Sequence, residues 1–134
     1  MSNPGVAAQG NANYWAKLSN EFGLYSVTKT LTGGPFNDLG AATLPGYFSG
    51  STTRLLITPS GADVTINGLD ASGTTDGFTV LIVNQSATYN LIFTHLNTGS
   101  QSGNQFSNVS AGSVAIQPLG AARATYVVNK WQFA

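Results

Sequence analysis

The chain has no cysteine, which removes disulfide cross-links, thiolate metal centres and a thiol nucleophile together. Charge is also scarce. Only 7% of the 134 residues are Asp, Glu, Lys or Arg, and the formal net charge is zero, whereas an average globular domain is roughly 25% charged. The basic residues Lys17, Lys29, Arg54, Arg123 and Lys130 are scattered singly. Nucleic acid needs clustered cations to neutralise its phosphates, and an anionic membrane surface makes the same demand. Neither is an expected partner. No apolar run approaches the ~20 residues that span a bilayer. The opening "MSNPGVAAQG" has neither the basic nor the apolar region of a secretion signal. The expectation is a soluble chain, complete from Met1, made in the cytoplasm and long enough for one domain with a proper core.

Reactive groups are few as well. His95 is the sole histidine, and it ends an apolar run in "LIFTHLNTGSQSGNQFSN" (91–108). That stretch reads as a catalytic strand, a sugar-reading loop or a structural turn; a histidine hydrogen-bonded at a sheet rim is the plainest of these. Thr94 and Ser100 nearby form no nucleophile motif, and phosphate-binding, dinucleotide and zinc-protease motifs are absent. Asp70 and Asp76 in "GLDASGTTDG" offer two acidic oxygens to a calcium ion, which takes about 6–8; as turn formers they need no ion. No enzyme activity, cofactor or metal is expected.

What the chain does have is short apolar segments separated by Gly, Ser, Asn, Asp and Pro. From about residue 50 these alternate every ~8–15 residues, the spacing of an all-β sandwich or barrel. Strands are expected at 54–58, 63–67, 78–84, 88–95, 113–117 and 124–133, with an earlier one within 23–33. Alternation places Val64 and Ile66 on one face. In 78–84 both faces are apolar, with Leu81 and Val83 opposite Val80 and Ile82, so this strand needs cover on both sides. In 124–133, Val127, Trp131 and Phe133 share one parity, and Tyr126 and Val128 the other.

The first 22 residues read as an arm. Tyr14, Trp15, Leu18 and Phe22 fall near helical spacing, with Asn13 as a cap, so a short helix is one expectation for 13–22. "GGPFNDLG" and "ATLPGYFSG" are loops carrying Phe36 and Phe48, which either plug the sandwich ends or anchor on another protein. No internal repeat is evident.

The segment from Gly77 to Phe133 resembles a module of tailed-bacteriophage virion proteins. The resemblance is carried by "VLIVNQSATYNLIFTH", "LNTGSQSGNQF", "SAGSVAIQPLG" and "YVVNKWQF". The chain departs from that pattern at Leu96 and Gln105, where the module has an acidic residue and an Arg, and at "PLGAAR". Similar modules occur in capsid decoration (cement) proteins with jelly-roll folds and in tail fibres or spikes.

The fold expected is therefore all-β, a jelly-roll-like antiparallel sandwich over 23–134 behind an arm over 1–22. The resemblance implies a virion protein on the outer capsid surface. Its expected partners are the major capsid protein and further copies of itself, as a homodimer or homotrimer. Tyr14, Trp15, Leu18 and Phe22 would contact the capsid; Leu81, Val83, Tyr126 and Val128 would lie in an oligomer or capsid interface. A chain with so little charge has little to repel its neighbours, which suits assembly. The competing reading is a receptor- or carbohydrate-binding module, using exposed aromatics among Trp15, Tyr25, Tyr47, Tyr89, Tyr126 and Trp131. The blandest is a small, weakly charged secreted domain.

Overall fold

The computed structural model describes residues 25–133. The expected arm and its helix, with Tyr14, Trp15, Leu18 and Phe22, lie outside the described residues. The strands are β1 (Ser26–Leu31), β2 (Arg54–Pro59), β3 (Val64–Ile66), β4 (Thr79–Asn84), β5 (Leu91–Phe93), β6 (Val114–Ile116), β7 (Ala121–Val127) and β8 (Lys130–Phe133), with one short 3-10 turn at Ser102–Asn104. They form a five-stranded sheet, ordered β1-β2-β4-β7-β8, and a three-stranded sheet, ordered β3-β5-β6. The fold is all-β, and inward residues of both sheets, among them Val27, Ile57, Ile82, Val64 and Phe93, share one core.

The pairing departs from the expected antiparallel jelly roll, which is built from Greek keys. β1–β2, β2–β4 and β3–β5 are parallel; β4–β7, β5–β6 and β7–β8 are antiparallel. The chain passes from β2 to the other sheet, returns as β4 and crosses again to β5. It therefore winds as a short coil. Arg54 pairs with Leu81 and Ile66 with Phe93, both 27 positions on. The preceding coil is added by parallel bridges from Phe36 to Ile66 and Leu39 to Leu69.

This winding exposes a repeat that inspection of the sequence misses. "FNDLG" (36–40), "INGLD" (66–70) and "FTHLN" (93–97) stack as successive coils. Asn67 is the middle member of a side-chain ladder. Its amide donates to Asn37 Oδ1 at 2.8 Å, and its Oδ1 accepts from the Thr94 hydroxyl at 2.9 Å. Asn67 is buried, so the ladder satisfies polar atoms that would otherwise oppose burial. Each coil buries its apolar edge against the next, as stacked repeats do.

The last expected strand is in fact a hairpin. Val128 and Asn129 both have positive φ (50° and 63°), as a two-residue hairpin turn of the primed type requires. The turn resets parity, so Tyr126 and Trp131 face each other and are both buried. The expectation that Tyr126 and Trp131 lie on opposite faces is corrected: the Tyr126 ring lies edge-on to Trp131 at 5.0 Å. Leu81 and Val83 are half-buried on the outer face of the five-stranded sheet. There Leu56 pairs with Val83, while Arg54 and Arg123 flank Leu81.

Candidate binding surface

Connection lengths divide the sandwich into two unlike ends. β2 reaches β3 through residues 60–63 alone. A link that short crosses the ~10 Å between packed sheets but cannot also run back along a six-residue strand of ~20 Å. β3 therefore starts where β2 finishes, and β5, parallel to it, does the same. Residues 32–35, 60–63, 85–90 and 117–120 all lie at that end. The segments 40–53, 67–78 and 94–113 lie at the other, together with the 128–129 hairpin tip. Rigid scaffolds present function on loops gathered at one end.

The long segments are tied to one another. The Ser49 and Thr74 hydroxyls are hydrogen-bonded at 2.9 Å. The Tyr47 hydroxyl donates to the Asp70 carbonyl. Asp38 Oδ1 accepts from the Gln101 N–H at 2.8 Å and the Asn104 side chain at 2.9 Å, and Asn104 Oδ1 accepts from the Ala71 N–H at 2.9 Å. Asp76 accepts from the Val128 N–H at 3.2 Å. The Tyr126 hydroxyl donates to the Gly103 carbonyl at 2.7 Å, and Lys130 Nζ to the Ser102 carbonyl at 2.8 Å. Residues 97–106 press closely on the middle coil. A Cβ built at Gly68 would stand 2.3 Å from Ser100 Oγ, so only glycine fits there. The surface is preformed.

These bonds account for the groups that raised chemical possibilities in the sequence. His95 Nδ1 accepts from the Asn108 N–H at 2.9 Å, and the Asn108 side chain holds the Phe93 and Gly112 carbonyls. His95 is thus a structural acceptor at the sheet rim. Asp70 accepts from the Ser72 N–H and Asp76 from Val128, while Asp63, at the other end, accepts from Asn90. Each of these aspartates shapes backbone, the turn-forming alternative to calcium binding. Among the described residues no cluster of His, Cys, Asp and Glu is suited to a metal ion, and no helix is long and apolar enough to cross a membrane.

Compared with known proteins, the chain matches no family model, no curated protein and no solved structure. The surface itself must supply the reading. Its apolar members are Phe48 (61% exposed), Leu96 (44%), Val109 (88%) and Val128 (75%), while Leu119 (73%) is the corresponding residue at the short-loop end. Of the two loop phenylalanines, Phe36 packs half-buried against the core and Phe48 projects. Val128, singled out in sequence as an interface residue, sits on this surface at the hairpin tip. Leu81 and Val83 do not: they lie on the sheet flank. The loop asymmetry escapes sequence inspection because it depends on which strands run parallel.

Tyr47 ties this end to the core and carries a pH signature. It is 3% exposed. Burial, reinforced by the Asp70 charge, pushes its phenol above the ordinary value near 10. The folded state therefore holds the proton more tightly than the unfolded chain. This contribution is fully present below about pH 10 and is lost as pH rises beyond it. The urea midpoint of the wild type is expected to fall more steeply between pH 9 and about 11.5 than that of Tyr47→Phe. Equal slopes would show that the phenol is not held protonated by the fold.

Proposed function

We propose that this protein is a virion structural protein, a capsid decoration (cement) protein that binds the outer surface of a major capsid protein lattice as a homodimer or homotrimer. The observation that carries this reading is the knitted long-loop end. There every described carboxylate is committed to the chain's own N–H groups, and apolar side chains project from a stiff frame. Such a surface suits protein contact better than reaction. The resemblance of residues 77–133 to phage virion modules supports the same reading. The pairings among the named strands of that segment, β4–β7, β5–β6 and β7–β8, are antiparallel, as a jelly-roll kinship would require.

The mechanism is mass action. A ligand that binds the assembled shell and not free subunits stabilises the shell against internal DNA pressure by about 2.7 kcal/mol per site when present at 100 times its Kd. Purified protein mixed with empty shells is expected to co-sediment with them and to raise their disassembly temperature. Protein left wholly in the supernatant would refute the proposal.

One feature favours the second reading, a receptor- or carbohydrate-binding module of a tail fibre or spike. Phe48 projects from the long-loop end with Tyr25 edge-on at 6.1 Å, an aromatic pair open to a sugar face. Glycan-array binding by the isolated protein, without shell binding, would select it.

A further inference from the structure

The five-stranded sheet has a second face. Register places Arg54, Leu81 and Arg123 in one row across β2, β4 and β7, and Leu56, Val83 and Ala121 in the next. Leu55, Val80 and Ile82, which alternate with them, fill the core, so these two rows point outward. Leu56, Leu81 and Val83 thus form an apolar patch with an arginine on either side of Leu81. All eight described strands belong to the two sheets, so no further layer of strands lies on this patch. A strand apolar on both faces needs cover on both.

Charge and reach together select the cover. No described strand carries a carboxylate: Asp38, Asp63, Asp70 and Asp76 all lie in connecting segments. The remaining acidic residue of the chain is Glu21. It belongs to the stretch 13–22, outside the described residues and just ahead of β1. At helical spacing Tyr14, Trp15, Leu18 and Phe22 make one apolar stripe, and Glu21 borders it beside Tyr14 and Leu18. Ser26 opens β1 in the same row as Arg54, Leu81 and Arg123. The peptide steps from Phe22 to Ser26 span up to ~14 Å, enough to rise one layer (~10 Å) and shift across one or two strands (~5 Å each). Glu21 then falls near the arginine row. A helix over 13–22, about 15 Å long, runs back over Leu81 and Val83.

We infer that residues 13–22 dock as an amphipathic helix on the outer face of the chain's own five-stranded sheet, with Leu18 on Leu81 and Val83 and Glu21 beside Arg54 and Arg123. This gives the stripe an intramolecular role and stands independently of the capsid reading, since shell binding neither requires nor excludes it. The chain has no native cysteine, so the pair Leu18→Cys/Leu81→Cys reports the contact directly. A short bismaleimide is expected to join the two within one chain in most molecules, read as an intact-mass gain of one linker without a dimer band. Ala115 is exposed on the outer face of the other sheet, and Leu18→Cys/Ala115→Cys should be joined about tenfold less, because docking raises the effective concentration only at the first site. Trp15 gives a second measurement. Trp131 is fully buried, so readily quenched tryptophan fluorescence belongs to Trp15. Acrylamide should quench Leu81→Asp several-fold more than the wild type. Equal joining at both sites, joining only between chains, or equal quenching of wild type and Leu81→Asp would overturn the inference.

Discussion

Phe106→Ala is expected to destabilise the fold by about 3–5 kcal/mol, a melting temperature lower by on the order of 10 °C or more for a domain of this size. Phe106 is fully buried. Its ring is stacked on Phe133 at 5.5 Å and lies edge-on to Phe93 at 5.1 Å; Phe93 and Phe133 are themselves 4.9 Å apart. The three rings come from the 94–113 segment, β8 and β5, so one truncation opens a cavity where both sheets meet. The surrounding backbone has little freedom to collapse into that cavity. The Ser107 N–H donates to the Trp131 carbonyl at 2.7 Å, and the Trp131 N–H to the Gln105 carbonyl at 3.0 Å. Residues 105–107 thus extend the sheet beyond β8, and Phe106 cannot move inward without breaking those bonds. Thermal unfolding followed by circular dichroism checks the figure. A loss below about 1 kcal/mol would place Phe106 among the partner-binding loops rather than in the core.

The same geometry accounts for residues 91–108. The run is the third coil of a wound sheet. His95 occupies the position of Asp38 and Gly68 in "FNDLG" and "INGLD", and the polar stretch that follows folds back over those coils. Strand positions were legible because β-branched and aromatic residues cluster between turn formers, and the alternation of Val64/Ile66 correctly marked the inward face. Strand direction was not legible. Parallel and antiparallel neighbours bury the same apolar face, and only tertiary placement separates them. The repeat was hidden because its copies share size and polarity rather than identity: Phe, Ile and Phe in one column, Asn, Asn and Thr in the next. The hairpin within 121–133 was hidden because its turn is Val128-Asn129, lacking the glycine that usually announces such a turn.

Asn84→Ala should be comparably severe, at about 3–5 kcal/mol, because it removes the side-chain partner of two buried backbone groups and one part-buried one, at about 1–3 kcal/mol for each buried group, only partly relieved by water. Asn84 is fully buried at the end of β4. It pairs in register with Ile57 of the preceding coil, so an apolar residue would be expected at its position. What differs is the neighbourhood: here the coil ends and β6 closes the smaller sheet. The Asn84 amide donates to the Tyr89 carbonyl at 2.8 Å and to the Ile116 carbonyl at 2.9 Å, while its Oδ1 accepts from the Ser86 N–H at 2.9 Å. One side chain therefore clips β4 of the larger sheet to β6 of the smaller and shapes the 85–90 turn. Asn84→Asp tests the donors separately. It retains an acceptor for Ser86 but faces two carbonyls with a carboxylate in a site closed to water, and should cost at least as much as alanine. Urea midpoints for both variants decide the point. Values within about 0.5 kcal/mol of the wild type would mean that the two sheets hold together without this clip.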